Sequence, residues 1–303
     1  MPIKNGYSTA EICAFSRAYH SNVSRGKVFD DYLAYDLMGK ENYDELYGYI
    51  AENEIFRIAS DKTSNTAEFI NNLITPITLP RIGFTENKLK AFAAEYGSCQ
   101  YVICGAGYDT FSFRNNNPKI EIFEVDHPNM QIFKKQRIAY LQWNVPRNVH
   151  FVAVDFEKDD FVSTLLGEGF DPNKKTFFSI LGVAYYLTLP VFAKTVSYIS
   201  QVASPGSMLV FDYPDETLRH KSSVSGICKL AAMTEKLGEI MRGGYYVDDL
   251  CEALRSESFR LESHLAPSDI GACFFAGRPD TLQAMSNIYL VSAVKKEDTH
   301  YTI

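Results

Sequence analysis

From residue 101 onward, short apolar runs alternate with segments of helix length. The runs are YVIC at 101–104, IEIFEV at 120–125, VHFVAV at 149–154, TFFSIL at 176–181, SMLVFD at 207–212, and then FRLES and IYLVSAV near the C-terminus. Strands separated by helices are typical of βαβ units. We therefore predict an α/β fold with seven strands in a mostly parallel sheet, helices on both faces, and an antiparallel strand at the edge.

The residues before these runs have a helical pattern. Apolar side chains recur at helical spacing from Thr9 to about Ile74. Pro76 and Pro80 interrupt this pattern, and one more helix is predicted after them. We therefore predict a helical N-terminal cap over residues 1–96.

A second helical segment interrupts the later part of the chain. The stretch 213–246 contains GICKLAAMTEKLGEIM, whose apolar residues recur at helical spacing. Ligands of open α/β sheets bind beyond the carboxyl ends of the strands. We predict that residues 97–303 form a Rossmann-like core and that 213–246 form a helical lid above those strand ends. Our hypothesis is that lid and cap close over an apolar, aromatic-lined pocket.

The charge balance argues against a nucleic-acid ligand. The chain has 30 Lys and Arg against 37 Asp and Glu, a formal net charge of -7, whereas nucleic-acid affinity depends on basic side chains that neutralise phosphates. A small-molecule substrate is the better expectation. The sequence has no apolar run of membrane-spanning length and no signal-peptide pattern, so we expect a cytoplasmic protein with no membrane span.

The cysteines and histidines do not have the spacing of metal ligands. The six cysteines form no CxxC pair, and the six histidines form no HExxH motif or cluster. We therefore expect reduced thiols and no structural metal.

A nucleotide-binding pattern begins at the first apolar run. The run leads directly into Gly105-Ala106-Gly107, and glycines in such a turn let the backbone approach a ligand closely. About 20 residues further on, the second run ends with Glu124 and Asp126, whose carboxylates are in position to accept hydrogen bonds from ribose hydroxyls. An N-cap for the following helix is the structural alternative for Asp126.

The residues after the glycines favour one nucleoside over another. The third glycine of a dinucleotide site is missing, and the turn continues into Asp109 and Thr110. A carboxylate there repels a pyrophosphate but favours the ammonium and sulfonium groups of S-adenosylmethionine. Asp155, after the third run, can accept from the adenine amine, or cap a helix. Phe156 offers its ring and its backbone N–H, and His127 lies beside the adenosine in this interpretation.

Four motifs in this order resemble the leucine carboxyl methyltransferase-like family, including its bacterial branch of polyketide and natural-product O-methyltransferases. They are GAGYDTFSFR, EVDHP, the VDF after the third run, and GVAYYL at 182–187, and by layout the resemblance covers nearly the whole chain. It implies a class I S-adenosylmethionine-dependent methyltransferase. In that family basic residues of the N-terminal helices hold the cofactor carboxylate, and the matching positions are Arg17 and Arg81, whose guanidinium forks suit a carboxylate.

The sequence departs from the family pattern at two positions. VFDDYLA resembles the family stretch D-P-x-A, with Tyr32 in place of the proline. The family usually has a glutamate directly before G-V-x-x-Y-L, and this chain has Leu181 there. The resemblance then leaves a backbone carbonyl of Ile180 or Leu181 as the substitute near the amino acid end of the cofactor.

The acceptor chemistry remains open at the level of the sequence. The resemblance favours O-methylation of a small natural product, on a carboxylate, which needs no base, or on a hydroxyl, which benefits from one. Candidates near the strand ends and in the cap are His20, His127, Tyr185, Tyr186, Asp212 and Tyr213. Of these we predict Tyr186 and Tyr213 as pocket wall and His20 as the candidate base. The alternative activities are an NAD-dependent oxidoreductase and a non-catalytic, regulatory nucleoside-binding protein; the oligomeric state is left open.

Overall fold

The computed structural model describes residues 7–53, 56, 66–156, 158–220 and 225–296. These residues form one sheet of seven strands. The strands are β1 Cys99–Cys104, β2 Ile120–Asp126, β3 Val149–Ala153, β4 Thr176–Ile180, β5 Met208–Pro214, β6 Phe259–Leu265 and β7 Ile288–Lys295. Each strand coincides with one apolar run of the sequence, so the predicted seven-stranded, mostly parallel α/β fold is confirmed.

The strand order is β3-β2-β1-β4-β5-β7-β6. Strands β1 to β5 pair in parallel, and β7 runs antiparallel to both β5 and β6. The last two strands form an antiparallel pair at the edge, as predicted, but the strand that runs against the rest of the sheet is β7, second from the edge, and not the edge strand β6. Six of the eight residues of β7 are buried, whereas only Phe259 of β6 is buried. The more apolar strand therefore takes the inner position.

Twelve α-helices surround the sheet in the described part of the chain. They are α1 Thr9–Val23, α2 Ala34–Met38, α3 Lys40–Glu52, α4 Thr66–Phe69, α5 Thr75–Tyr96, α6 Phe111–Arg114, α7 Pro128–Tyr140, α8 Phe161–Gly167, α9 Leu189–Val202, α10 Gly226–Lys236, α11 Val247–Ser256 and α12 Pro267–Ile270. Shorter 3₁₀ and π-helical turns connect some of them.

Apolar side chains of the central strands alternate between two cores, one on each face of the sheet. Val102 and Cys104 of β1 pack in the core that α9 and α11 cover, while Tyr101 and Ile103 pack in the core that α5 covers. A parallel sheet buried on both faces requires continuous apolar strands, and β1 is buried at every position. Its carboxyl end is thereby held rigidly in place.

Helix α5 does not follow the predicted break. It runs without interruption past both prolines, with Pro76 in its first turn and Pro80 in its interior. Pro76 removes an N–H that has no helical partner in any case, whereas Pro80 removes one helical hydrogen bond. Every residue from Thr75 to Pro80 is buried, so tertiary packing outweighs that loss.

The lid contains the predicted helix, α10. Its buried side chains Ile227, Leu230 and Met233 belong to one apolar cluster with Phe15 of α1 and Ile70 of the turn before α5. Lid and cap therefore share a core above the sheet.

The predicted boundary between cap and core falls where α5 ends at Tyr96 and β1 begins at Cys99. The division into two units at that point stays a prediction. None of the helices in the described ranges combines the length and the apolar character needed to cross a membrane.

Candidate functional site

The strand order reverses its direction between β1 and β4, since β2 lies on one side of this pair and β5 on the other. Ligands of α/β proteins bind at such a switch point. A cavity of about 390 Å³ opens there, and cap, core and lid all contribute to its wall. The wall includes Thr9 and Cys13 from α1, Arg81 from α5, and Met233 from α10.

The glycine turn after β1 forms one side of the cavity. Gly105 and Gly107 have φ angles of 79° and 45°, which L side chains rarely adopt. A Cβ on Gly105 would lie only 3.1 Å from a methyl group of Val183. The backbone of Gly105, Ala106 and Gly107 is thus exposed to the cavity along a surface that side chains would fill.

Asp126 is bonded to this turn and also borders the cavity. Its Oδ2 accepts from the backbone N–H of Gly107 at 2.6 Å, and its Oδ1 accepts from the N–H of His127 at 2.7 Å. A carboxylate has about four acceptor positions, so lone pairs remain for further donors. The alternative N-cap role belongs to His127, whose Nδ1 accepts from the N–H of Asn129.

The side chains of Asp109 and Thr110 point to different places in the structure. Asp109 lines the cavity, and its Oδ1 accepts from the N–H of Phe111 at 2.7 Å. Thr110 is fully buried, and its hydroxyl donates to Asp31. Thr110 therefore points below the cavity floor, contrary to the expectation from the sequence, because Asp31 attracts its hydroxyl.

The side chain of Arg81, from α5, packs against the turn after β4. A Cβ on Gly182 would lie 2.7 to 2.9 Å from the Arg81 guanidinium, so only glycine leaves room for it. Asp212 accepts from Arg81 Nη1 at 3.4 Å, from the N–H of Gly182 at 2.7 Å and from the Tyr185 hydroxyl at 2.8 Å. Burial lowers the pKa of Arg81, but Asp212, Cys13 and Tyr185 together more than offset this effect, so the pKa is raised and the guanidinium stays charged.

The Nε atom of Arg81 is buried and has no hydrogen-bond partner among the described residues. A buried guanidinium N–H without a partner is costly, and Arg81 borders the cavity. The arrangement fits an anionic group of a ligand.

Arg17 also reaches the cavity wall, but its guanidinium is largely engaged elsewhere. Nη1 forms an ion pair with Asp31 at 2.5 Å, and Nη2 donates to the carbonyl of Tyr108 at 3.0 Å. Asp31 is fully buried and also lies 3.3 Å from Arg114 Nε. Asp31 was not predicted as a site residue, although it lies in the VFDDYLA segment.

Glu124 does not reach the cavity, contrary to the expectation from the sequence. Its side chain is fully buried, forms an ion pair with Lys134 at 2.5 Å and accepts from Ser112 at 2.5 Å. Burial raises its pKa, and the contacts with Lys134 and Ser112 oppose that rise. Residues two apart on a strand face the same side, so alternation does not separate the two acids. Asp126 meets the cavity because it lies past the last buried position of β2.

The three predicted adenosine contacts are His127, Asp155 and Phe156, and none of them is among the residues that line the cavity. His127 Nε2 is 3.7 Å from Asp155 Oδ2, and Asp155 also pairs with Lys158 at 2.6 Å. The ring of Phe156 is 50% exposed and stacks on Phe161. These residues follow β2 and β3, beside Asp126, and their roles stay predictions.

The predicted acceptor residues separate into one at the cavity and two away from it. Tyr186 lines the cavity. Tyr213 is buried on β5, where its hydroxyl contacts His264 Nε2 at 2.8 Å. His20 is buried too, and its Nε2 accepts from the N–H of Val28. Neither Tyr213 nor His20 is part of the cavity wall.

His20 is unsuited to act as a base for a second reason. Burial, with a further contribution from Arg278, lowers its pKa to about 4. At the turn after β4, Leu181 borders the cavity, whereas the side chain of Ile180 is buried in the core.

The donor set fits S-adenosylmethionine and offers no metal site. Asp126 at the end of β2, the bare backbone after β1, and the charged guanidinium of Arg81 match a ribose, a close-packed nucleoside and a carboxylate in turn. Across the described ranges, no three His, Cys, Asp or Glu side chains are grouped in a way that could hold a metal ion.

Comparison with known proteins identifies the family. The family model "Leucine carboxyl methyltransferase" matches residues 10–200. A Bacillus subtilis (strain 168) relative named "Putative S-adenosyl-L-methionine-dependent methyltransferase YktD" is 38% identical over 300 residues, which cover 95% of this chain and 97% of the relative. A similarly named relative from Parafrankia sp. (strain EAN1pec) is 31% identical over 44% of this chain and 42% of its own length.

Solved structures share the fold at low sequence identity. A DUF574 family protein from Streptomyces avermitilis MA-4680 aligns with a TM-score of 0.57 and 11% identity, covering 95% of this chain and 97% of that protein. A "putative methyltransferase" from Thermobifida fusca YX aligns with a TM-score of 0.54 and 15% identity, covering 80% of this chain and 94% of that protein.

The family model, the Bacillus subtilis relative and the shared fold agree with one another. They give no support to the alternatives of a dehydrogenase or a non-catalytic nucleoside-binding protein. The chain belongs to the leucine carboxyl methyltransferase family, and it is an S-adenosylmethionine-dependent methyltransferase with the class I fold.

Proposed function

We propose that this methyltransferase acts on an oxygen atom of a small, largely apolar acceptor. The observation that carries this proposal is the composition of the cavity wall beyond the glycine turn. Cap and lid contribute apolar side chains there, among them Ile74, Ile77, Leu230, Met233 and Met241. An apolar wall with a few placed polar groups is typical of a small-molecule site.

The cofactor occupies the strand-end side of the cavity in this proposal. Asp126 accepts from the ribose hydroxyls, the backbone at 105–107 packs against the nucleoside, and the Arg81 guanidinium binds the carboxylate. His127, Asp155 and Phe156, which follow β2 and β3, contact the adenosine beyond the cavity wall in this proposal. When bound, S-adenosylmethionine supplies an electrophilic methyl group on a sulfonium.

The remaining work of the protein is orientation and the exclusion of water. Methyl transfer is an in-line displacement, so holding the acceptor close and aligned supplies much of the acceleration. The shared core of lid and cap supports this role, since Leu230 and Met233 belong both to that core and to the cavity wall. A small acceptor is further supported by the net charge of -7, which disfavours nucleic acids as partners.

The experiment uses S-adenosylmethionine with a deuterated methyl group and naphthalene acceptors that carry a hydroxyl, a carboxylate or an amine. Mass spectrometry and NMR locate the label in the product. Label on oxygen is the expected result. The product should be lost in Asp126→Ala and retained in Glu121→Gln, because Glu121 lies on the same strand but contacts His150. Label found only on nitrogen or carbon overturns the proposal.

A further inference from the structure

A chain of hydrogen bonds joins the cap, the core and the lid at the cavity. The hydroxyl of Tyr186, in the turn after β4, donates to Thr9 Oγ1 at 3.0 Å. The Thr9 hydroxyl, in the first turn of α1, donates in turn to Oε2 of Glu239. Glu239 follows α10 in the lid, and its Oε1 also accepts from the backbone N–H of Thr9 at 3.1 Å. The chain therefore exists only while all three parts are together.

The direction of the hydrogen bonds determines which substrate group can bind to the Tyr186 oxygen. Tyr186 and Thr9 both line the cavity. The proton of Tyr186 is committed to Thr9, and that of Thr9 to Glu239, so the tyrosine oxygen presents lone pairs. A hydroxyl group can donate to it, whereas a carboxylate has no proton to give and would meet an acceptor.

Tyr186 itself remains neutral. Burial raises its pKa above the ordinary value, and the negative charge of Glu239 contributes in the same direction, while the contact with Thr9 opposes the rise. A neutral tyrosine passes a proton on only if it receives one at the same time, and Thr9 and Glu239 provide the path for it.

Several other charged groups of the wall are already bonded within the protein. The carboxylates of Asp109 and Asp126 accept backbone N–H groups at the glycine turn. Arg81 is held by Asp212. No histidine of the described residues lines the cavity. Tyr185 also lines the cavity and its hydroxyl donates to Asp212, but that carboxylate is paired with Arg81. The Thr9 and Tyr186 hydroxyls give the cavity a separate route to a carboxylate, that of Glu239.

We propose that Tyr186, Thr9 and Glu239 form a proton relay, and that the acceptor of this enzyme is consequently a hydroxyl compound, such as a phenol, rather than a carboxylic acid. This inference rests on the proposed O-methylation. Tyr186 is the catalytic residue, because it touches the substrate, and Glu239 acts through the two hydroxyls.

The step balances in atoms and charge. The acceptor oxygen forms a bond to the methyl carbon, and the sulfur keeps the electron pair of the broken C–S bond. The acceptor proton moves to Tyr186, the tyrosine proton to Thr9, and the threonine proton to the carboxylate of Glu239. One positive charge on sulfur and one negative charge on Glu239 disappear together. The proton becomes strongly acidic as the new C–O bond forms, so an ordinary carboxylate suffices as its final acceptor.

The first test measures recognition without turnover. The full chain, saturated with S-adenosylhomocysteine, is titrated calorimetrically with 2-naphthol and with 2-naphthoate. We expect 2-naphthol to bind at least roughly tenfold more tightly than 2-naphthoate. The hydroxyl of 2-naphthol can donate a hydrogen bond to the Tyr186 oxygen, whereas the carboxylate of 2-naphthoate would place one acceptor against another. Tyr186→Phe should remove that preference. Equal or tighter binding of 2-naphthoate, or binding of neither ligand, overturns the inference.

The second test separates a relay from a structural clamp. Thr9→Val and Glu239→Gln should each lower kcat for 2-naphthol by roughly 10²- to 10⁴-fold with little change in KM, while Thr9→Ser, which keeps the hydroxyl, retains most of the rate. With a dinitronaphthol that is already ionised, the two losses should vanish. Equal losses for both acceptors overturn the relay.

Failure of the inference and failure of the proposed function give different results. If 2-naphthoate becomes labelled on oxygen and 2-naphthol does not, O-methylation stands and the relay falls. If the label appears only on nitrogen or carbon, the proposed function falls and the relay falls with it.

Discussion

The carboxylate of Asp31 joins the cap to the floor of the site. It is fully buried and contacts Arg17, Thr110 and Arg114. Arg114 in turn pairs with Glu86 at 2.6 Å. Two guanidinium groups are thus buried beneath the glycine turn only because carboxylates accompany them. The position of Arg17 in the cavity wall depends on this pairing.

Replacing Asp31 should therefore be costly. We expect Asp31→Asn to lower the free energy of unfolding by about 3 to 5 kcal/mol, because it leaves buried positive charge without its partner. Urea unfolding followed by circular dichroism measures the change. Glu252→Gln, which breaks an exposed pair with Arg255, is the matched control and should cost less than about 1 kcal/mol. Similar losses in the two variants would contradict the importance of burial here.

Asp126 offers a test of the cofactor site itself. Asp126→Ala removes the acceptor of the Gly107 N–H and the lone pairs that face the cavity. We expect the Kd for S-adenosylhomocysteine to rise by roughly 10- to 100-fold, about 1.4 to 2.8 kcal/mol, in calorimetric titration. Glu121→Gln on the same strand should bind like the wild type, because Glu121 contacts His150 away from the cavity. Unchanged binding in Asp126→Ala would show that the ribose contact lies elsewhere.

The buried imidazole of His20 predicts a pH dependence of stability. Its pKa of about 4 in the folded protein lies below the ordinary 6.5, so the unfolded chain binds the proton more tightly. Stability from this group is complete above pH 6.5 and is lost as the pH falls towards 4, amounting to about 2 kcal/mol between pH 7 and pH 5. Urea unfolding of His20→Gln should lack this part of the decline. His127→Gln, at an exposed position, should keep it; equal slopes in all three proteins would contradict the assignment.

Several residues of the candidate cavity follow from sequence, and others do not, for physical reasons. Gly105, Gly107 and Asp126 could be predicted because a turn after a strand and an acid at the end of the next one are local patterns. Glu124 could not be separated from Asp126 without knowing where the strand leaves the core. Thr9 and Glu239 are 230 positions apart, and only folding brings them together.

Among the elements, the sheet could be predicted more completely than the helices. Apolar runs separated by helix-length segments determine the strands, but strand order depends on which runs are buried on both faces, and β7 is buried more fully than β6. Helix α5 shows why the helices could be predicted less completely. Its interior Pro80 predicts a break, yet its buried surroundings keep the helix continuous.

The end of the lid is anchored by a close backbone contact. The N–H groups of Arg242 and Gly243 both donate to the carbonyl of Tyr185, at 2.9 and 2.8 Å. A Cβ on Gly243 would lie 2.5 Å from the carbonyl oxygen of Ala184 and 2.9 Å from that of Tyr185. Backbone atoms of a packed turn cannot move aside as a flexible side chain can.

Gly243→Ala should therefore displace the lid from the turn that contains Tyr185 and Tyr186. We expect it to reduce methyl transfer by roughly tenfold or more, the size of effect that small misplacements cause, while circular dichroism stays near the wild-type spectrum. Gly48→Ala is the control, because nothing lies within 4 Å of its added Cβ. Full activity in Gly243→Ala would mean that the lid anchor tolerates a shift of its backbone.

At the scale of the whole molecule, cap, core and lid depend on one another through the cavity. The apolar cluster that contains Phe15 of α1 also contains Leu230 and Met233 of the lid, and the family model covers 10–200, which ends before the lid. The matched residues therefore contain the glycine turn and Asp126, whereas the lid lies outside the family model.

Binding in the cavity should hold the lid closed, because lid side chains form part of the wall. A ligand that requires the closed form lowers the population of the open form by mass action. We expect saturating S-adenosylhomocysteine to slow tryptic cleavage after Lys236 and Arg242, both exposed in the lid, by roughly tenfold.

Cleavage after Lys174 provides the internal control, since this exposed residue lies in the loop before β4, away from the cavity. Its rate should stay constant, because protection restricted to the lid reports local closure, whereas slower cleavage at all three sites would report only a more stable fold. In Glu239→Gln, which weakens the contact between lid and α1, the lid sites should be cleaved faster without ligand. Rates at Lys236 and Arg242 that S-adenosylhomocysteine leaves unchanged would contradict a closing lid, and they would imply that the acceptor enters a cavity already formed.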